Sequence, residues 1–454
     1  MTHLLTTSDR EITLTVVADT RVDVRDYPFP SITVCPVANV EKSMALATLR
    51  LYHEAARRSR FPTDNNDTAE AEADQEELDR NHVRLLRALQ EFRFPLYSSR
   101  WDDAKVVEGL AFLGTQDPRN VLLTAFPPCQ RFFLGCSWKS NFSDCCDLFE
   151  LQETNAGFCY SFNSCTSMSS KAARCRPRMG EPDDSQALYF STVKAAPGEV
   201  LSPDPHSKGI VVVVANPYEF PVPSDGHYFP EDNNLTMRIS ASVTVQQADE
   251  SLRGWPWTAR ECKFRDEGPL DIAVQYSQVS CVESCRLGLL AERCHCLPFH
   301  YGVSPASPLA ELPFCNASGL QCVYEHKGIL RNLYSTGQFR IPIVGEKQLG
   351  QGERASCECP PECDLLLYNS DYSTLGEAGP GPKDQSAVFF VRQRNLGAEN
   401  ILYLKSSRVS FLGFLANLGN LASLFLGVSF LSVLEFVWVS VSCLRTLSMK
   451  WLSF

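Results

Sequence analysis

Hydrophobic and polar positions along this chain change their period several times, and each period predicts a different element. Ile12, Leu14 and Val16 alternate with polar residues, the pattern of a half-buried strand. Tyr27 to Pro36 sets prolines around the short run Ile32, Thr33, Val34, which predicts a stiff extended segment anchored by Cys35. From about Asp64 to Phe94 the composition turns acidic, and Leu78, Leu85, Leu86, Leu89 and Phe92 recur at helical spacing, predicting a solvated amphipathic helix. Ile210 to Val214 is an unbroken β-branched run closed by Asn216-Pro217, as for a strand buried on both faces, with the alternating Met237 to Val245 as its neighbour. Val388 to Gln393 predicts one more strand.

The last pattern is the longest. Val409 to Leu444 holds 36 residues with no Lys, Arg, Asp or His and a single carboxylate, Glu435. A straight helix of that length rises about 54 Å, against about 30 Å for a hydrocarbon core. The segment must therefore tilt, project above the bilayer or break, and Gly413, Gly419 and Gly427 are places to break. A backbone break at membrane depth is tolerated only where it faces protein or a water-filled path. Arg445 and Lys450 follow directly, which places a short tail, 445–454, in the cytoplasm and everything before the segment outside.

Composition supports that topology. Of 19 cysteines, all but Cys443 lie between Cys35 and Cys363, a usage that belongs to an oxidising compartment. The sequons at Asn66, Asn141, Asn234 and Asn316 fit a glycosylated exterior. A formal net charge of -11 with no basic run excludes nucleic acid and anionic lipid surfaces as electrostatic partners. No signal peptide and no apolar span occupies the first 34 residues, so the cysteine-rich region must be exported by something that the sequence does not show. Enzyme signatures are missing, and no Cys-x2-Cys pair occurs; the expectation is no enzyme, no cofactor and no metal.

Within the apolar segment, Gly419, Ser423 and Gly427 at four-residue spacing permit close helix approach, while Glu435 is too costly in hydrocarbon to face lipid. Backbone carbonyls and Ser hydroxyls from several subunits can replace a cation's hydration shell where a glycine brings backbones together. The stretch Leu426 to Glu435, LGVSFLSVLE, resembles the second membrane helix of the epithelial sodium channel/degenerin/acid-sensing channel family, whose filter is a Gly/Ser-x-Ser triplet followed by an apolar stretch and Glu. The resemblance implies that Gly427, Val428 and Ser429 form the selectivity filter and that Glu435 lies in the inner pore. It also implies a gating role for Ala416, in Ala416-Asn417-Leu418-Gly419, although Asn420 stands where the family usually has a second glycine.

Other segments are similar to the same family: Phe29 to Cys35, and Gly157 to Asn163, GFCYSFN. So is the series Cys262, Cys281-x3-Cys285, Cys294-x-Cys296, Cys315, Cys322, Cys357-x-Cys359-x3-Cys363. The family's ladder would join Cys262 to Cys363, Cys281 to Cys359, Cys285 to Cys357, Cys294 to Cys322 and Cys296 to Cys315, with Cys35 paired to Cys159 and Cys129 to Cys136. Cys145, Cys146, Cys165 and Cys175 are left for two further bridges, an elaboration similar to the arthropod pickpocket branch.

The implied fold is α+β: an extracellular region over 1–408, a pore helix over 409–444 and the short tail. The extracellular region would hold a cysteine-rich finger (about 64–175), palm strands (about 28–36, 209–246 and 386–394) and a helical thumb (about 262–363). The implied function is that of one subunit of a homo- or heterotrimeric, amiloride-sensitive channel passing Na+ through the plasma-membrane bilayer. The family's cytoplasmic N-terminus and first membrane helix are not in this sequence. The alternatives are therefore a non-conducting or dominant-negative subunit, and a single-pass cysteine-rich receptor or adhesion protein.

Overall fold

The computed structural model describes residues 13–37, 40–60, 68–92, 103–114, 116–167, 175–180, 188–194, 200–201, 208–231, 235–268, 270–326, 334–335, 356–377, 385–394, 400–407, 411–427 and 429–451. The chain forms two compact units, one of residues 17–247 and 261–404, the other of residues 1–16, 248–260 and 405–454.

The N-terminal half of the larger unit holds helices α1 (Lys42–Arg60), α2 (Thr68–Glu91), α3 (Asp103–Leu110), α4 (Pro118–Ala125), α5 (Cys129–Phe132) and α6 (Cys145–Leu148). The acidic periodic stretch forms α2, burying Leu85, Leu86 and Leu89, with Phe92 buried in the turn just beyond it. Helix α1 has no counterpart among the sequence expectations. α7 (Trp257–Arg260) belongs to the smaller unit; α8 (Gln278–Cys294) and α9 (Ala317–Glu325) return to the larger one. Ser277 caps α8 by accepting from the Ser280 N–H, and His295 ends it in the left-handed region, φ 53°.

Two sheets carry the core. A five-stranded sheet runs His227–Pro230, Gly209–Ala215, Ser31–Pro36, Gly157–Phe162, Phe149–Thr154. An eight-stranded sheet runs Thr13–Asp19, Ile401–Ser407, Leu235–Ala248, Gln385–Gln393, Leu188–Val193, Phe133–Trp138, Asn141–Ser143, with Leu365–Glu377 also pairing Leu235–Ala248. The strands expected over 28–36, 209–246 and 386–394 are thus divided between two sheets. Gly209–Ala215 is buried on both faces as its β-branched run requires, but Met237 to Val245 is not its neighbour. Its two edges are filled by Ser31–Pro36 and by the return strand His227–Pro230, reached through the tight turn at Pro223–Asp225. The longer strand instead pairs Leu365–Glu377 antiparallel and Gln385–Gln393 in parallel.

Aromatic rings fill the space between the sheets. Phe29 meets Trp138 edge-on at 5.0 Å, Phe190 stacks on Phe389 at 4.8 Å and Phe133 on Phe149 at 4.5 Å. Phe29, Phe162, Phe190 and Phe389 are all fully buried. The strand Thr13–Asp19 forms where alternation predicts it, yet Leu14, Val16 and Val17 are exposed rather than half-buried.

Eighteen cysteines form nine disulfides. The five bridges from Cys262 to Cys363 and the bridge Cys35–Cys159 join the same partners as the family-like ladder. Cys165 joins Cys175. The expected pair Cys129–Cys136 is corrected: Cys129 bonds Cys146 and Cys136 bonds Cys145. The hairpin explains why. Lys139 and Ser140, both at positive φ, turn the chain so that Cys136 lies opposite Ser143, and Asp144 caps α6 immediately beyond. Cys145 is thereby carried back to Cys136, while Cys146, one position on around the helix, meets Cys129 at the start of α5.

Candidate functional site

The apolar run at the C-terminal end, expected over 409–444 as a pore helix that tilts, projects or breaks, folds as two helices, α10 (Phe411–Leu426) and α11 (Phe430–Trp451), parted at Gly427, one of the three glycines where the sequence offers a break. Helix α11 also runs through most of the expected tail. Gly427 makes the break. Its φ of 63° is left-handed, a conformation that glycine adopts without a Cβ penalty, and its N–H donates to the Ser423 carbonyl at 3.1 Å, closing α10. Ser429 opens α11: its Oγ accepts from the Ser432 N–H at 3.2 Å, and its carbonyl accepts from the Val433 N–H at 3.1 Å. A glycine stop followed two residues later by a serine cap is therefore the local reason the helix breaks here. Of the three expected filter residues, Gly427 and Ser429 flank this break and are exposed, and Val428 lies outside the described residues.

Apolar side chains of both helices project on every side. Leu424 is 78% exposed, Phe425 76%, Phe436 75% and Trp438 73%. Such all-round apolar exposure marks helices that are covered by something other than water. Among the described residues no helix is long and apolar enough to cross a membrane. The break accounts for much of that: α10 has 16 residues, about 24 Å of rise. Ala416, Gly419 and Glu435 are all exposed. Ser432, Glu435, Ser440 and Ser442, the polar residues of α11 before Cys443, fall within roughly a 160° arc at about 100° per residue. This polar stripe was not among the sequence expectations, although spacings of three and seven residues signal it.

The larger unit holds two buried polar clusters. In the first, Glu283 on α8 accepts from Tyr301 Oη at 2.9 Å and from Asn155 Nδ2 at 3.3 Å and pairs with Arg286. Arg119 likewise pairs with Glu153, donates to the Phe299 carbonyl at 2.8 Å and lies over the rings of Phe158 and Phe314. In the second, burial raises the Glu219 carboxyl to about 8, with the Glu362 and Asp225 carboxylates adding to the effect. Burial also pushes Glu362 up, although its Oε1 accepts from the Gln278 N–H at 2.9 Å. These groups are scattered in sequence, and no local motif marks them.

The expected glycosylation sites Asn141 and Asn316 are exposed; Asn66 and Asn234 lie outside the described residues. Asn316 also caps α9, its Oδ1 accepting from the Gly319 N–H at 3.0 Å.

Among known proteins, Pickpocket protein 28 of Drosophila melanogaster is 25% identical over 73% of this chain and 60% of its own length. Pickpocket protein 19 of the same fly is 21% identical over 96% of this chain and 81% of itself. The sodium channel protein Nach of Drosophila ananassae is 22% identical over 92% and 73% respectively. The chain spans about three-fifths of Pickpocket protein 28 and 57% of Pickpocket protein 11. The family described as amiloride-sensitive sodium channel matches residues 2–439, nearly all of the sequence, and the chain belongs to that family.

Proposed function

We propose that this protein is a subunit of a trimeric, amiloride-sensitive, sodium-selective channel of the plasma membrane, with the larger unit outside the cell and the end of α11 in the cytoplasm. The observation that carries the reading is the Gly427 break between two helices whose apolar residues are exposed. In this reading α10 and α11 cross the bilayer in tandem, their apolar surface covered by lipid and neighbouring subunits.

Gly427, Val428 and Ser429 from each subunit form the filter. The backbone break turns carbonyl groups toward a shared axis, and three sets of carbonyl and hydroxyl oxygens replace the hydration shell of Na+. Glu435 carries a negative charge in the inner pore, where the arc shared with Ser432 and Ser442 faces water rather than lipid. Ala416 lies where α10 helices approach in the closed state. Stimuli at the larger unit shift a closed/open population, and the disulfide ladder between Cys262 and Cys363 makes that region a stiff lever.

The test is expression of the chain, alone and with a conducting subunit of the same family, with currents recorded for Ala416→Trp. A bulky ring at this position is expected to hold the pore open and raise resting Na+ current. A current indistinguishable from that of the unsubstituted chain overturns the placement of Ala416. Failure of the chain either to conduct or to alter its partner's current overturns the channel reading.

A further inference from the structure

The ends of α8 and α9 converge on three soft donor atoms. Cys294, the last residue of α8, bonds Cys322 in the final turn of α9, and His326 follows that helix directly. His326 Nδ1 is 3.7 Å from Cys322 Sγ, and the two sulfurs and a ring nitrogen all lie within 4.8 Å of one another. All three residues are half-exposed. The neighbouring bridges differ: both cysteines of Cys262–Cys363 are fully buried, and Cys296–Cys315 is buried as well. Each of the other two ladder bridges keeps one buried sulfur partner, Cys357 or Cys359. A dissolved thiol therefore reaches Cys294–Cys322 more readily than any other rung of the ladder.

Electrostatics favour a cation at this place. Both cysteines sit in the last turn of a helix, where unsatisfied carbonyl groups give the negative end of the dipole. The Arg293 carbonyl is 3.9 Å from Cys322 Sγ, and the Cys322 carbonyl is 2.9 Å from His326 Nδ1. The same field disfavours two bare thiolates, so an opened bridge is stabilised either by closing again or by taking up a cation. Two sulfurs and an imidazole are the donor set of Zn2+ and other soft or borderline metals.

We propose that Cys294, Cys322 and His326 form a thiol-gated metal site: a disulfide when oxidised, a Cys2His site for a zinc-like ion when reduced. The reductant is a small-molecule thiol of the glutathione class. One thiolate attacks a sulfur of the bridge to give a mixed disulfide, and a second thiol releases the oxidised dimer. Two electrons pass from the thiols to the bridge, leaving Cys294 and Cys322 as thiols. The metal displaces their two protons and binds His326 through Nδ1 once the proton that Nδ1 donates to the Cys322 carbonyl has shifted to Nε2, with water as fourth ligand. The ion then clips together the same two helix ends that the covalent bond held, so opening the bridge does not release the segment between them.

The experiment uses the full chain in detergent micelles, equilibrated in glutathione redox buffers. Opened cysteines are mapped by differential alkylation and mass spectrometry, and Co2+ serves as a spectroscopic probe. The expected result is that Cys294 and Cys322 open before any other ladder cysteine. The opened protein then binds one Co2+ with a thiolate charge-transfer band, and Zn2+ displaces it. Cys322→Ser abolishes the band. His326→Gln leaves the oxidised protein folded and weakens Co2+ binding by at least about tenfold, the loss that even an outer-shell partner of a metal ligand causes. Earlier opening of another rung, absence of the band after opening, or unchanged affinity in His326→Gln each overturns the proposal.

Discussion

The segment from Cys262 to Cys363 and the paired helices α10 and α11 are two answers to the same problem, how to hold a small helical element in one conformation. In the first, five disulfides close loops of up to 101 residues around a modest apolar core. In the second there is no staple, and apolar side chains that would form a core elsewhere face outward. A stapled element carries its stability with it. An apolar helix pair takes its stability from what surrounds it, and only its break is encoded locally, by Gly427 and Ser429.

The largest effect that sharpens this contrast is on the ladder. Replacing both Cys262 and Cys363 by Ser removes the outermost rung; Cys281–Cys359 still closes the segment inside it, so the loop released is about 23 residues and loop-closure entropy predicts a loss of about 3–4 kcal/mol, read as a lower urea midpoint of the larger unit. Of the same size, Phe389→Ala removes a buried ring stacked on Phe190 at 4.8 Å and should cost about 3–5 kcal/mol. The matched change Leu424→Ala, on α10, should shift unfolding of the larger unit by less than about 0.5 kcal/mol. Comparable losses from Phe389→Ala and Leu424→Ala would break the comparison.

An intermediate effect is expected with pH. The Glu219 carboxyl rises from 4.5 to about 8 on folding, so the folded state holds a proton that the unfolded state has released across that window. The resulting stability is full below pH 4.5 and is lost as pH rises through 8. Glu219→Gln should flatten the fall in melting temperature over this range; an unchanged pH profile would assign the dependence to other groups. The smallest effects are at the helix break. Gly427→Ala forces a Cβ into the left-handed region, about 1–2 kcal/mol, and Ser429→Ala removes the α11 cap, about 1 kcal/mol. Both should show in amide exchange around 423–433 while the larger unit's melting temperature stays fixed.

The regions also differ in how far the sequence reveals them. Short-range periodicity was enough for α2, for Gly209–Ala215 and for the apolar run, because each places its signal within one element. Which strands pair was not legible: Met237 to Val245 has the alternation of a neighbour, but the hairpin through Pro223–Asp225 filled that edge first. Four cysteines within 18 residues, Cys129, Cys136, Cys145 and Cys146, allow several pairings, and only the turn at Lys139-Ser140 selects one. The Glu219 and Glu283 clusters join residues more than a hundred positions apart, so no local pattern announces them. In the helix pair, by contrast, the glycine and serine of the break are two residues apart, and the sequence narrows the break to three glycines, Gly413, Gly419 and Gly427, of which the fold uses the last.

The central claim is that the break faces a water-filled sodium path. Its most direct test is thiol modification of Ser429→Cys in cells expressing the chain, alone or with a conducting family subunit. A small, charged, membrane-impermeant methanethiosulfonate should reduce the Na+ current of the Ser429→Cys channel irreversibly and leave that of Leu424→Cys, on the apolar surface, unchanged. Insensitivity of Ser429→Cys, or equal sensitivity of both, would contradict the account.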